Sequence, residues 1–384
     1  MKNLILFDDD SWESLWPLTL TRPVANLLVG ALKIEDKWKI WLNRNVSYQT
    51  KDYLSKKYKK DPERSDLYVN GSCLPNEAIV KAINSLRAEQ YLCQGNCVIA
   101  AKTEKLTFSP TRLDGLARIE FDGSVDRLKH PEDVFTLNAS QIWLDYELLS
   151  QTWERNGYHF TCQHAGRKIY ISPGCSINNC VLDSSDGPIL IGQNTTILDN
   201  SVLRGPVFIG ENAVVKAATV IYGGTSIGPD CKVGGEIKNS VFLANSNKGH
   251  YGYIGDSVVG EWCNLGAGTT TSNMKNTLGN INLYDIKLGQ KRNTHLQFCG
   301  AIIGDHTKSS INAMINSGSV IGVNSIVSSG ITENYIPSFT WDPNDTYDVD
   351  KAIEVARRMY ERKDQAFSAV DADILRHIAS DFLI

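Results

Sequence analysis

IGQNTTILDNSVLRGPVFIGENAVVKAATVIYGGTSIGPDCKV, residues 191–233, has an aliphatic side chain at every sixth position: Ile191, Ile197, Leu203, Ile209, Val215, Ile221, Ile227 and Val233. Four places after each comes a small or β-branched residue, from Thr195 and Ser201 to Cys231 and Ile237, and glycine directly follows the aliphatic at Gly192, Gly210, Gly228 and Gly234. A six-residue unit of this kind is one short strand plus one corner, and three units make a coil of a parallel β-helix. The aliphatic points inward and stacks on its counterpart in the next coil, while glycine and polar residues take the corners, where a Cβ would collide. The register resumes at Ile303, slips at Ser309 and returns at Ile315, Ile321 and Val327, which predicts a solenoid over about 168–331. Between Val233 and Ile303 the repeat is interrupted, and the interruption contains NKGHYGYIGDSVVGEWCNLGAGTTTSN, residues 247–273. A bare spacer or trimerisation stem is the alternative reading, and an interruption rich in Gly, Asn and His argues against it.

The rest of the composition limits the partners. A chain of 384 residues, 42% hydrophobic and 21% charged, is long enough for two or more domains. A net charge of -4 with no Lys/Arg block excludes a nucleic-acid backbone as partner. Leu4–Phe7 is too short, and the aspartates after it too acidic, for a secretory core, and no apolar run approaches the ~18 residues of a membrane span. The expected location is cytoplasmic, with the nine cysteines reduced and mostly buried.

Within the interruption, His250 sits between Gly249 and Tyr251 in a segment without apolar periodicity. An imidazole titrates near neutral pH and accepts a proton from an attacking amine or hydroxyl, the task required in acyl transfer from a thioester. Asn264, Asn273 and the amides of Gly266, Ala267 and Gly268 are candidate donors to a developing oxyanion or to sugar hydroxyls, and Lys238 and Lys248 are candidate charges for a phosphate.

GEIKNS, NKGHYGYIGD and NLGAGTTTSN, in this order, resemble the acetyltransferase half of the bifunctional glucosamine-1-phosphate N-acetyltransferase/N-acetylglucosamine-1-phosphate uridylyltransferase family. The resemblance implies acetyl-CoA as acyl donor and an amino-sugar phosphate as acceptor. It puts the general base on His250, the sugar-phosphate tyrosine on Tyr253 and the phosphate lysine on Lys238. It puts the sugar asparagine on Asn264, the acetyl-CoA site on Ala267 and Gly268, and the asparagine near the base on Asn273. It also implies a left-handed β-helix and a homotrimer with the acyl site between neighbouring solenoids. Tyr222 stands where the family carries an arginine, and 278–298 lengthens a connection that is direct in the family. Together with TLTRPVANLLVG and WDPNDTYDVDKAIEVARRM, the chain is similar to a divergent, sugar nucleotidyltransferase-like branch of this family.

Residues 1–166 have no hexapeptide pattern. Leu4–Phe7, Leu67–Asn70 and Cys97–Ala101 read as strands and 76–92 as a helix, predicting an α/β, Rossmann-like nucleotidyltransferase domain. Phe7 runs straight into Asp8, Asp9 and Asp10, with no glycine before Gly30, so the glycine-rich phosphate loop of sugar-1-phosphate nucleotidyltransferases is absent. Arg22 and Lys33 or Lys37 are candidate contacts for the phosphates of UTP or dTTP, and Asp8 and Asp9 for Mg²⁺, with a solvated acidic loop as the alternative. The β-helix domain is placed at 167–335 and a helical cap at 336–384, its first helix carrying Ile353, Ala356 and Tyr360 on one face and its second Ile374, Ile378 and Phe382. The cap is expected to cover the terminal coil.

Overall fold

The computed structural model describes residues 3–61, 66–103, 108–150, 161–328, 334–341 and 345–382. The chain forms two compact units: the first contains the chain up to Leu15, Thr21–Leu27 and Leu32–His130, and the second Trp16–Leu20, Leu28–Ala31 and the chain from Pro131.

The first unit is built on a six-stranded sheet in the order Asn45–Gln49, Asn3–Phe7, Leu67–Asn70, Cys97–Lys102, Gln90–Gln94, Ala117–Glu120. Asn3–Phe7 is buried at every residue, as a central strand covered on both faces requires. Its two neighbours run parallel to it, and Cys97–Lys102 is antiparallel to Leu67–Asn70. The chain leaves Asn3–Phe7 towards one side and returns to the other, so the loops after Phe7 and Asn70 diverge and open a crevice at the carboxyl ends of the strands. The helix expected over 76–92 covers only Glu77–Ser85, capped by the Asn76 side chain, which accepts from Ile79 N. Its apolar spacing ends at Leu86, which is extended; Gln90–Gln94 then pairs with Cys97–Lys102 in a hairpin turning at Gly95, φ 59°. Gly95-Asn96 is a two-residue turn signal that the helical spacing masks.

The second unit is a parallel β-helix. One inward column runs Ile191, Ile209, Ile227, Phe242, Val259, Ile303, Ile321, Ile336, each paired in register with the next. The period of six predicts a break between Val233 and Ile303, but the coils continue through that segment. Ile221 pairs with Ile237 and Ile237 with Ile254, and Val233 with Lys248. Hydrogen bonding between coils fixes the strands but leaves corner length free, so losing corner residues shifts the numbering without breaking the columns. Gly234 and Gly235 make one such shortened corner; a Cβ on Gly235, at φ 86°, would lie 2.5 Å from Gly252 O. The slip expected at Ser309 is also absent: Ser309 pairs with Leu265 and shares a 2.6 Å hydrogen bond with Thr269 Oγ1, which satisfies its hydroxyl inside the column. The true excursion is the antiparallel hairpin of Asn282–Asp285 with Gln290–Asn293, held by two hydrogen bonds from Arg292 to Glu132. The expected solenoid end, Ile331, lies outside the described residues.

The strand-end corners of one edge adopt positive φ coil after coil, at Asn194, Asn212, Asp230 and Asn245, then at Trp262, His306, Asn324 and Phe339. Asparagine and aspartate tolerate this region, whereas a tryptophan there is strained by about 1–3 kcal/mol unless its surroundings hold it. The tail provides that hold. Tyr360, on the helix Val349–Glu361, stacks on Trp262 at 3.8 Å, and Lys363 Nζ donates to Asp230 O and Asn245 O at 2.6 and 3.1 Å. The tail therefore reaches back along the side of the solenoid instead of covering only its last coil, where Asp345–Thr346 pairs antiparallel with Thr340–Trp341.

Asn138, fully buried, joins an early segment to the solenoid: its Oδ1 accepts from Gly30 N at 2.7 Å and its Nδ2 donates to Gly224 O at 2.8 Å. Ser226 Oγ adds a 2.6 Å hydrogen bond to Gly30 O, and Asp145 accepts from Ala31 N at 2.7 Å.

Candidate functional site

His250 lies on the corner between the strands Asn247–Lys248 and Tyr253–Gly255, with its side chain exposed. In the following coil the Ala267–Gly268 corner stacks on it, Gly268 N donating to Tyr251 O at 3.0 Å, and in the coil after that Asn312 N donates to Ala267 O at 2.7 Å. The structure thus brings His250, Ala267 and Gly268 to one edge of the solenoid. Of the three candidate oxyanion amides, Gly266 N is taken by Ser309 and Gly268 N by Tyr251. Ala267 N makes no hydrogen bond to a described residue.

Tyr253, Lys238 and Asn273 lie on the face just past this corner. Glu236 pairs with Tyr253 and Lys238 with Gly255, and since Ile237 and Ile254 point inward, Lys238 and Tyr253 point out. Asn273 Nδ2 donates to Tyr253 Oη at 3.0 Å and to Asp256 Oδ2 at 2.6 Å, and Asn239 Nδ2 donates to Asp256 Oδ1 at 2.7 Å. Burial, with the Asp256 carboxylate beside it, pushes the Tyr253 phenol up to about 12, so it remains a neutral donor. Asp256, which the motif reading does not assign, is the acceptor that orients Asn273. Asn264 lies on the adjacent face, exposed, its Oδ1 accepting from Asn247 Nδ2 at 2.7 Å.

Lys248 does not present its charge to a phosphate. It replaces an aliphatic in the inward column and is fully buried; its ammonium donates to Gly234 O, His250 O and Tyr251 O at 3.2, 2.8 and 3.1 Å. Three carbonyls match its three donors, so the side chain pins the histidine corner from inside. Burial lowers its pKa to about 8.

In the first unit the crevice is occupied by a polar network. Asp9 Oδ2 accepts from Arg127 Nη2 at 2.5 Å and Asn70 Nδ2 at 2.8 Å, Asp9 Oδ1 from Ser11 N at 3.0 Å, and Arg127 Nε donates to Ser72 Oγ at 2.9 Å. Asp9, Asp10, Asn96, Cys97, Thr111 and Arg127 line a cavity of about 230 Å³. No motif points to Arg127, which lies 118 residues from Asp9 in the chain. Arg22 and Lys37, the expected phosphate contacts, are 2% and 1% exposed, and so are folded into the unit and not offered at the crevice. The Mg²⁺ site expected at Asp8 and Asp9 does not fit either: Asp8 accepts from Val24 N and Thr50 Oγ1 at 3.0 and 2.6 Å, and the Asp9 oxygens are taken by the arginine network. Among the described residues, no three His, Cys, Asp or Glu side chains are grouped to hold a metal.

Burial raises Asp8 to about 7, outweighing the hydrogen bonds from Thr50 and Val24. Between about pH 4 and 7 the folded state then holds a proton that the unfolded state has lost, so this group makes stability fall as pH rises through that window. Asp8→Asn is expected to be more stable than the parent by roughly 4 kcal/mol at pH 8. The gain should shrink steadily to nothing near pH 4. Thermal melts across pH check this, and a gain independent of pH would contradict it.

An α/β domain with a crevice at its switch point, followed by a parallel β-helix with a histidine corner, defines a sugar nucleotidyl transferase-type domain joined to a hexapeptide-repeat solenoid. Residues 4–154 match the family model described as sugar nucleotidyl transferase. Among curated proteins, the bifunctional protein GlmU of Methanococcus maripaludis strain C7 is 36% identical over 109 residues, 26% of this chain and 25% of the relative. That of Synechococcus sp. strain CC9311 is 30% identical over 141 residues, 36% and 26% of the two chains. Part of the chain is thus similar to the GlmU proteins, and it spans about a quarter of the length of the relatives it matches. Among solved structures, the Francisella novicida UDP-N-acetylglucosamine acyltransferase aligns over 58% of this chain and 91% of its own at 15% identity, with a TM-score of 0.20, too low to carry an argument. No described helix is long and apolar enough to cross a membrane.

Proposed function

We propose that the solenoid transfers an acetyl group from acetyl-CoA to the amine of an amino-sugar 1-phosphate. The observation that carries this reading is the histidine corner: an exposed imidazole on a backbone pinned by Lys248, beside the unspent Ala267 amide and the Tyr253–Asn273–Asp256 network. In this reading the amine nitrogen attacks the thioester carbonyl, His250 takes the proton from that nitrogen, the C–S bond breaks, and the departing sulfur receives that proton and leaves as the thiol. Ala267 N–H donates to the acyl oxygen as it gains charge, Tyr253 and Asn264 hold the sugar, and Lys238 faces its phosphate. A site of this kind is completed by a second copy of the chain. Tyr251, Ile311 and Met314, 66%, 70% and 67% exposed, surround the same corner, and no described side chain hydrogen-bonds the His250 imidazole. A homotrimer in the cytoplasm follows from this reading. The test is free-thiol release from acetyl-CoA with glucosamine 1-phosphate as acceptor; binding of CoA without release would keep the donor and overturn the acceptor.

The family match over residues 4–154 favours a second activity, nucleotidyl transfer from UTP or dTTP at the first unit's crevice. Arg127, not Arg22, is then the residue to change, and pyrophosphate release that survives Arg127→Ala would overturn that assignment.

A further inference from the structure

Two cysteines of the solenoid differ from the others in what their sulfurs face. Cys175, Cys231 and Cys263 each donate to a backbone carbonyl, Gly192 O at 3.1 Å, Leu243 O at 2.9 Å and Gly304 O at 3.2 Å. Cys162 and Cys180 face each other, with their sulfurs 3.1 Å apart. The strand register explains the contact. Thr161–Ala165 runs parallel to Ser176–Asp183, with Thr161 opposite Asn178 and Gln163 opposite Val181. Asn179 and Cys180 therefore share one opposing residue, Cys162, in a bulge that shortens this corner. Cys180 is buried in the solenoid core, and Cys162, half-buried, packs against it. In the next coils the place of Cys180 is taken by Ser201 and Thr219, because Val181 pairs with Val202 and Val202 with Val220. Both of those hydroxyls donate to Lys216 O, so the corner ladder that elsewhere ends on a carbonyl ends here on a second sulfur.

We propose that Cys162 and Cys180 form a covalent modification site, a dithiol that low-molecular-weight disulfides oxidise to a bond between Thr161–Ala165 and Ser176–Asp183. Neighbouring strands lie about 4.8 Å apart, inside the roughly 4.4–6.8 Å between Cα atoms that a disulfide spans. From 3.1 Å the sulfurs have about 1 Å to travel to the bonded distance. Cys162, the more exposed of the two, takes the first step. Its thiolate attacks one sulfur of the small disulfide, that S–S bond breaks, and the departing sulfur takes up the proton that Cys162 released, leaving a mixed disulfide on Cys162. In the second step the Cys180 sulfur attacks the Cys162 sulfur, the mixed disulfide breaks, and the Cys180 proton passes to the departing thiol. Two protein thiols are oxidised by two electrons, and the small disulfide is reduced to two thiols. Burial and the hydrogen bond with Cys162 push Cys180 up to about 12, so it is a poor starting nucleophile and acts on the sulfur already touching it. The bond would secure a strand that, among the described residues, pairs with Ser176–Asp183 alone.

The experiment incubates the full-length protein with oxidised glutathione and maps the products by mass spectrometry after trypsin, which cuts between the two cysteines at Arg167 and Lys168. The expected product is a peptide pair joined through Cys162 and Cys180, about 2 Da lighter than the two thiol peptides and separated by reductant. Cys175 shares a tryptic peptide with Cys180, so fragment ions decide which of them is linked. Amide exchange in Thr161–Ala165 should slow about tenfold on oxidation, because the closed loop suppresses opening of that strand. Cys180→Ser should stop the reaction at a glutathione adduct on Cys162, and Cys162→Ser should leave Cys180 unreacted. Serine is what the next coil carries at that place, Ser201, so a melting temperature matched to the parent separates lost chemistry from lost folding. A link from Cys162 to Cys175, a glutathione adduct that accumulates on Cys162 of the parent, or an absence of reaction would overturn the proposal. None of these readouts depends on acyl or nucleotidyl transfer.

Discussion

His250→Ala is expected to lower kcat for acetyl transfer by about 10²- to 10⁴-fold, the range over which a positioned general base accelerates proton removal. The melting temperature should stay within a degree or two, because the side chain is exposed and hydrogen-bonds no described group. Affinity for CoA should change little, since Ala267 and its corner are held by the next coil through Asn312 N and not by the histidine. Steady-state kinetics with both substrates and a CoA binding isotherm separate these effects. An unchanged kcat would remove His250 as base. A kcat loss with an equal loss of stability would instead assign it a folding role. Lys248→Met probes the same corner from beneath: three carbonyls lose their donor, the His250 backbone loses its anchor, and kcat should fall about tenfold while acceptor KM rises, because a misplacement of about 1 Å at a reacting group is already costly.

The second large effect is on stability. Asn138→Ala leaves Gly30 N without its acceptor and Gly224 O and Ser226 Oγ without their donor, all in a fully buried position. Each unsatisfied group costs about 1–3 kcal/mol, so a total of roughly 3–5 kcal/mol and a fall of about 10 °C or more in Tm are expected. Ser226→Ala should cost much less, because Asn138 still serves Gly30 N and Gly224 O. Denaturant melts that rank the two variants the other way would show that the serine, not the asparagine, carries the junction.

The solenoid is legible in the sequence because its period is a packing requirement: one aliphatic per face per coil must point inward, and a residue that fails to do so is conspicuous. That rule also misleads, since Lys248 and Ser309 occupy inward positions with polar side chains satisfied by backbone carbonyls or a neighbouring threonine, and a fixed period of six cannot follow shortened corners. The histidine corner is readable as a motif because its parts are close in the chain. The crevice is not, because Asp9 and Arg127 meet across 118 residues; nor is the junction within the solenoid unit, where Asn138 and Ser226 meet across 88, and no local spacing announces such pairs. Arg22 and Lys37 stand out by charge alone, and charge says nothing of burial.

The segment Leu28–Ala31 belongs to the solenoid unit although it precedes most of the first unit in the chain. During synthesis, Gly30 emerges long before Ser226, its buried partner; at about 5–20 residues per second the interval is roughly 10–40 s. Until Ser226 has been made, Gly30 O lacks the hydroxyl that serves it in the folded chain. A truncated chain that starts at residue 131 never receives Leu28–Ala31, and its Asn138 and Ser226 are left facing an empty seat. Boundaries for expressing the β-helix alone have to supply that short peptide, by linkage or in trans, instead of simply cutting between the two units.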